Sequence, residues 1–190
     1  APYKKKIQAI AVESTYNWYW LVDGLMDEGY DVKLVNTAAV KVYEGLKYTG
    51  DEHDAKHLAH LLRLGVLPTG YIQPREDRAV RDLLRKRAQL VRCRTTQILS
   101  IQGLVTRNSG KRINTDGVRK LDDEQIGQYC GGNSVLELAV KSNLSVMRCL
   151  DEQVVALEKV VLKQARLKPE FRKVLTIDGV WEILGMTIMY

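Results

Sequence analysis

Apolar residues recur along this chain in more than one rhythm, and each change of rhythm marks a change of element. The run Ile7-Gln8-Ala9-Ile10-Ala11-Val12 is short, nearly continuous and closed by Glu13, the pattern of a buried strand ending in an acid. Trp18, Leu21, Val22, Leu25 and Met26 then recur at helical spacing, with Ser14 or Thr15 as the expected cap and Glu28-Gly29-Tyr30 as the stop. Val32-Lys33-Leu34-Val35 reads as a second strand and Asn36-Thr37 as the cap of the helix after it. Strand, helix, strand predicts a parallel pair whose carboxyl ends share one edge, where open α/β sheets gather ligands. A further helix opens near Asp51 and runs on through Leu58, Leu61 and Leu62.

The pattern breaks at Gly65 and again over Val66-Leu67-Pro68-Thr69-Gly70, with a short extended piece expected at Tyr71-Ile72-Gln73. A first boundary is placed there. Pro74 suits the first turn of a long helix, in which Val80, Leu84, Val91, Ile98, Ile101 and Val105 hold one apolar stripe. Arg107-Asn108-Ser109-Gly110-Lys111-Arg112 reads as a basic loop, and Asp122-Asp123-Glu124 starts a short helix that breaks near Cys130-Gly131-Gly132. A second long helix spans Ser134 to Leu167 and is followed by Pro169. Val140, Met147, Val154 and Val161 fall at heptad spacing in it, and Asn143, Leu150 and Leu157 fill a second register. Such a seam fits packing against the helix from Pro74 and fits self-association, and Asn143 is placed to fix its register.

Charge adds a partner class to this picture. With 29 basic and 23 acidic residues the net charge is +6, which favours a polyanionic partner. Arg81, Arg85, Lys86, Arg87, Arg92 and Arg94 crowd one stretch with Asp82 as the acid among them, too one-sided for an ordinary salt-bridged helix face. Arginine forks suit backbone phosphates, so these six residues are the expected nucleic-acid contacts. Cys93, Cys130 and Cys149 share no C-x-x-C spacing, so neither a disulfide framework nor a thiolate zinc site is indicated, and a reducing cytoplasm fits. No apolar run approaches the roughly 18 residues that would span a bilayer.

Candidate chemistry centres on carboxylates. Asp51 and Asp54 lie three apart in the first turn of their helix and therefore on one face, and Glu13 ends the first strand. Capping and dipole compensation account for such acids without any chemistry. Acids at strand ends and helix starts are also what a divalent-metal site needs. His53, His57 and His60 share a helix face at spacings of four and three, which raises a rival zinc-hydrolase reading, although no glutamate follows His53 as in H-E-x-x-H.

The order V-E-S-T at Val12, then G-Y-D-V-K-L-V-N at Gly29, then K-x-x-G-D-x-x-D-A from Lys47 and L-L-R-L-G from Leu61 resembles the DEDD transposases of bacterial insertion sequences. That group, insertion-sequence family one-ten, includes the Piv invertases and the bridge-RNA-guided recombinases. The resemblance implies a partial α/β RuvC-like (RNase H-like) domain over 1–73, then a mainly α-helical region with a basic helix and coiled coil over 74–168. Residues 169–190 would begin the C-terminal transposase domain, with Asp178 and Trp181 where the family has proline and glycine.

By position Glu13, Asp51 and Asp54 match the second, third and fourth of four magnesium-binding acids, with Gly50 inserted before the pair. The first acid and the C-terminal nucleophilic serine find no counterpart. The chain is therefore expected to be a piece truncated at both ends and inactive alone. The parent would bind DNA, cleave it and transfer strands in the bacterial cytoplasm, with a structured guide RNA as a further partner and homo-oligomers formed through the coiled coil. The alternative is a non-catalytic nucleic-acid-binding or coiled-coil assembly module.

Overall fold

The computed structural model describes residues 4–14, 17–40 and 50–190. Thr15 and Tyr16, the Lys47 and Thr49 of the family-like motif and the opening Ala1-Pro2-Tyr3 lie outside the described residues. The chain divides into two compact units, Ala1–Ile72 and Gln73–Tyr190.

In the first unit β1 (Ile10–Glu13) and β2 (Val32–Val35) pair in parallel, with Ile10 opposite Val32 and Glu13 opposite Val35. Both strands thus end at one edge. The crossover is α1 (Trp18–Asp27), which starts at Asn17 rather than at Ser14 and stops where Gly29 turns left-handed at φ 78°. Alternation along the strands gives the sheet two apolar faces. Ile10, Val12, Val32 and Leu34 pack with Val22, Trp18 and Leu25 of α1. Ala11 and Val35 pack on the other side with Val40 of α2 (Thr37–Val40) and with Leu58 and Leu61 of α3 (Asp51–Arg63). Asn36 accepts from the Ala39 amide at 3.3 Å, the cap expected of it.

Two features depart from the expected pattern. Leu21 and Met26, placed on the apolar stripe of α1, are exposed, because a sheet of two described strands covers only a narrow strip centred on Val22. The extended piece lies slightly earlier than expected. Thr69 bridges Val35 in antiparallel sense, and the Gly70 amide donates to Leu34 O at 2.7 Å, so this stretch borders β2.

The second unit is a hairpin of two long helices, α4 (Arg75–Ser109) and α7 (Ser134–Ala165). Cross-links join Arg87 to Glu158, Arg94 to Asp151 and Ser100 to Asn143, so the helices run antiparallel. Val140, Met147, Val154 and Val161 are 1–3% exposed; Val140 and Met147 pack with Ile98, Ile101 and Val105 of α4, and Val161 with Leu84. The heptad seam is therefore filled within the chain, and across it Asn143 Nδ2 donates to Ser100 Oγ at 3.0 Å, an exposed bond at its edge. Helix α4 outlasts its expected end and carries Arg107–Ser109 in its last turn. Ser109 and Asn108 return their side chains to the Val105 and Leu104 carbonyls, and Gly110 closes the turn at φ 69°.

Each end of the hairpin is closed by two short helices. At the tip, α5 (Thr115–Lys120) and α6 (Asp123–Cys130) bury Val118, Leu121 and Ile126 against α4 and α7. Helix α6 begins with the expected acids: Asp122 and Gln125 form a reciprocal capping box. At the base, α8 (Pro169–Val174) and α9 (Glu182–Met189) bring Phe171, Met186 and Tyr190 onto Leu84 and Val161. No described helix is long and apolar enough to cross a membrane.

Candidate functional site

Parallel pairing of β1 with β2 delivers Glu13 to the carboxyl edge of the sheet, where it is exposed. Helix α3 packs on β1 through Leu58, which sets its amino end beside that strand. Gly50, not Asp51, occupies the N-cap and makes no side-chain capping bond, so Asp51 is the first helical residue and Asp54 lies one turn further. The capping account of Asp51 is thereby removed. A cleft of about 800 Å³ runs between β1 and α3, and Glu13, Asp51 and Asp54 all line it. Glu52, between the two aspartates in sequence, does not line it and instead holds Lys56 at 2.6 Å.

Lys6 and Arg63 border the same cleft, giving it cations as well as acids. Ile10, Ala55 and Leu58 add apolar lining to it. Neither of these cations stood out in the sequence: Lys6 reads as part of a lysine flank and Arg63 as the last turn of a helix.

Among the described residues no ion pair or side-chain hydrogen bond engages Glu13, Asp51 or Asp54. Carboxylate oxygens are the hard donor type that magnesium takes. These three acids are not drawn into a ligand cluster: among the described residues no three His, Cys, Asp or Glu groups gather closely enough to hold a metal ion. The same finding counts against the zinc reading. His53, His57 and His60 share a face of α3 without converging, and His60 Nδ1 lies 3.3 Å from Arg63 Nη2.

The six basic residues expected on nucleic acid separate into distinct roles. Arg87 and Arg94 bridge to Glu158 and Asp151, both at 2.6 Å, with side chains only 23% and 19% exposed. Arg81 donates to Gln73 Oε1 at 3.1 Å and Lys86 to Gln89 Oε1 at 2.9 Å, while Arg85 stands 3.8 Å from Asp82. Arg92 is exposed, with no ion pair or side-chain hydrogen bond among the described residues.

Comparison with known families gives the class first. Residues 3–108 match a family profile described as a transposase. The chain belongs to the DEDD transposases of the IS110 insertion sequences. No curated protein and no solved structure matches it.

Proposed function

We propose that this chain serves DNA transposition, the cutting and rejoining of DNA as an insertion sequence moves, and that its first unit is the RuvC-like, acid-bearing part of that machinery. The observation that carries the reading is the placement of Glu13, Asp51 and Asp54, from two separate elements, on one cleft. Family membership supplies DNA as the partner. Glu13, Asp51 and Asp54 would hold magnesium, which when bound activates an attacking oxygen and stabilises the leaving oxygen of a phosphodiester. The chain's own cations would act on the substrate directly. Lys6 and Arg63 line the same cleft, and Arg63, in the last turn of α3, would meet the substrate's backbone away from the acids of the first turn.

In the second unit, Arg92 and the more loosely held Arg81, Arg85 and Lys86 would meet nucleic-acid backbone, and Arg87 and Arg94 would hold the hairpin. Self-association would use the side of α7 turned away from α4, where Val146 and Val160 are exposed fourteen residues apart. A structured RNA is a further candidate partner for the basic helices, and the setting is the bacterial cytoplasm.

Manganese titration followed by nuclear magnetic resonance tests the metal reading, since a paramagnetic ion broadens nearby amides even when bound weakly. Broadening should concentrate at Val12–Glu13 and Asp51–Ala55 and disappear in a Glu13→Gln, Asp51→Asn, Asp54→Asn variant. Broadening spread equally over other surface acids such as Asp122–Glu124 would refute it. Binding of DNA indifferent to magnesium, with no preference of manganese for the cleft, would leave the non-catalytic binding module as the account of the chain.

A further inference from the structure

The positive excess of the chain belongs wholly to the second unit, since the first carries one more acid than base. Asp116 is the single acid between Leu83 and Leu121, a stretch dense in arginine and lysine. Folding neutralises part of that density. Glu158 and Asp151 reach Arg87 and Arg94 from α7, and Arg85 has Asp82 beside it. Arg119 and Lys120 border depressions that also contain acids, Asp151 and Glu152 for the first, Asp122 and Asp123 for the second. Arg107, Lys111 and Arg112, at the hairpin tip, are different. All three are exposed and none has an ion pair among the described residues; Lys111 Nζ only overlies the Tyr129 ring at 5.9 Å.

The turn bearing them is held from several sides. Gly110 ends α4 in the left-handed region, and the Lys111 amide donates to Ser109 Oγ at 3.2 Å. Gln102 Nε2 donates to Ile113 O at 2.9 Å, and Asn114 Oδ1 accepts from the Gly117 amide at 2.7 Å. Val118 and Leu121, just beyond, are essentially unexposed. Cations mounted on a backbone so fixed lose less freedom when they meet a charged partner than cations on a loose loop.

We propose that Arg107, Lys111 and Arg112 form a nucleic-acid backbone contact at the hairpin tip, taking phosphates of duplex DNA, in addition to the basic stretch legible in α4. This rests on the transposase reading for its choice of DNA. Two arginine forks and one ammonium on a fixed turn suit phosphate oxygens, and contacts to phosphate position a duplex without reading its sequence. Each phosphate neutralised releases counterions, so each contact adds about 0.9 to the slope of log affinity against log salt.

The test measures the binding of the whole chain to a labelled duplex across a salt series. An Arg107→Gln, Lys111→Gln, Arg112→Gln variant should lose about 2.7 from the salt slope, so its affinity loss between about 50 and 200 mM salt is smaller by about 40-fold. Lysine at all three positions should restore most of the slope, and Asp116→Asn should tighten binding. Thermal unfolding should be unchanged in the glutamine variant, because none of the three side chains is buried. A full slope retained by that variant while the wild-type chain binds DNA would overturn the tip contact and leave the transposase reading standing. A wild-type chain that binds no duplex at all would overturn the tip contact together with the reading of this unit as DNA-binding. If a duplex RNA of equal length outcompetes the DNA by tenfold, and does so only with the tip intact, RNA replaces DNA as the occupant and the proposal as stated fails.

Discussion

Truncating Arg94 to alanine removes the guanidinium that meets Asp151 across the two long helices at 2.6 Å. The two side chains retain 19% and 33% exposure, which places the pair between two measured regimes. Fully exposed pairs contribute at most about 1 kcal/mol, whereas removing one partner of a fully buried pair costs about 3–5 kcal/mol. Asp151 keeps a third of its side chain in water and rehydrates when orphaned, so the expected loss is about 2 kcal/mol, with about 1–2 kcal/mol of it coupling to Asp151. The Arg87–Glu158 pair, 23% and 30% exposed, lies seven residues away on each helix and should contribute a similar and nearly additive amount. A double-mutant cycle of Arg94→Ala and Asp151→Ala, read by urea unfolding of the far-ultraviolet helical signal, measures the coupling. Arg94→Ala should meanwhile leave the salt dependence of DNA binding unchanged, whereas Arg92→Ala lowers its slope by about 0.9. A coupling below about 0.3 kcal/mol, within the scatter of independent sites, or an Arg94→Ala slope as low as that of Arg92→Ala, would refute the division of the arginines into structural and binding sets.

Three further outcomes are expected. A Cβ at Gly117 would stand 2.8 Å from Ile113 Cγ1 and 3.1 Å from Asn114 Oδ1, so Gly117→Ala should cost about 1–3 kcal/mol of overpacking; hydrogen exchange should speed up in α5 and α6, and unchanged protection there would contradict the contact. Burial opposes the charge of Lys168, but its bond to Asp77 outweighs that and raises its pKa above the ordinary 10.5, while burial raises Tyr190 above 10.0. Both shifts favour the protonated form in the folded state, so their stabilisation is complete below about pH 10 and is lost as pH rises through the folded values; thermal melts should fall more steeply in alkali for the native chain than for Asp77→Asn. Cys130, whose thiol is pushed up first by burial and then by Glu137 against the opposing charge of Lys141, should resist alkylation in the folded chain, while the exposed Cys93 and Cys149 react, as mass mapping of the labelled thiols would show.

Elements with a strong local signal were legible in the sequence. The two apolar runs became β1 and β2 because both sheet faces are covered, so alternation with polar residues is not needed there. Gly29, Gly65, Gly110 and Gly131 stop helices in left-handed turns that only glycine takes without strain. Helix α5 was not legible, since six residues span too few turns to show a period. Pairing at a distance was equally hidden. Arg87 and Arg94 look no different in sequence from Arg92, and only the register of α4 on α7 brings Glu158 and Asp151 to two of them. The same holds at the cleft. Spacing put Asp51 and Asp54 on one face, but that Glu13 shares their cleft, and Glu52 does not, depends on how α3 lies across β1.

Helix α4 is one uninterrupted rod of 35 residues, braced along its length by α7, and that gives the second unit a fixed yardstick. At 1.5 Å per residue, Arg85 and Arg107 stand about 33 Å apart along its axis. Successive turns of a DNA duplex present the same groove about every 34 Å. If the proposed contacts hold, a duplex lying alongside such a rod would meet cations near those two points twice in the same phase. Lengthening both long helices by one heptad would add about 10 Å and throw the two proposed contacts out of phase while sparing every residue in either of them.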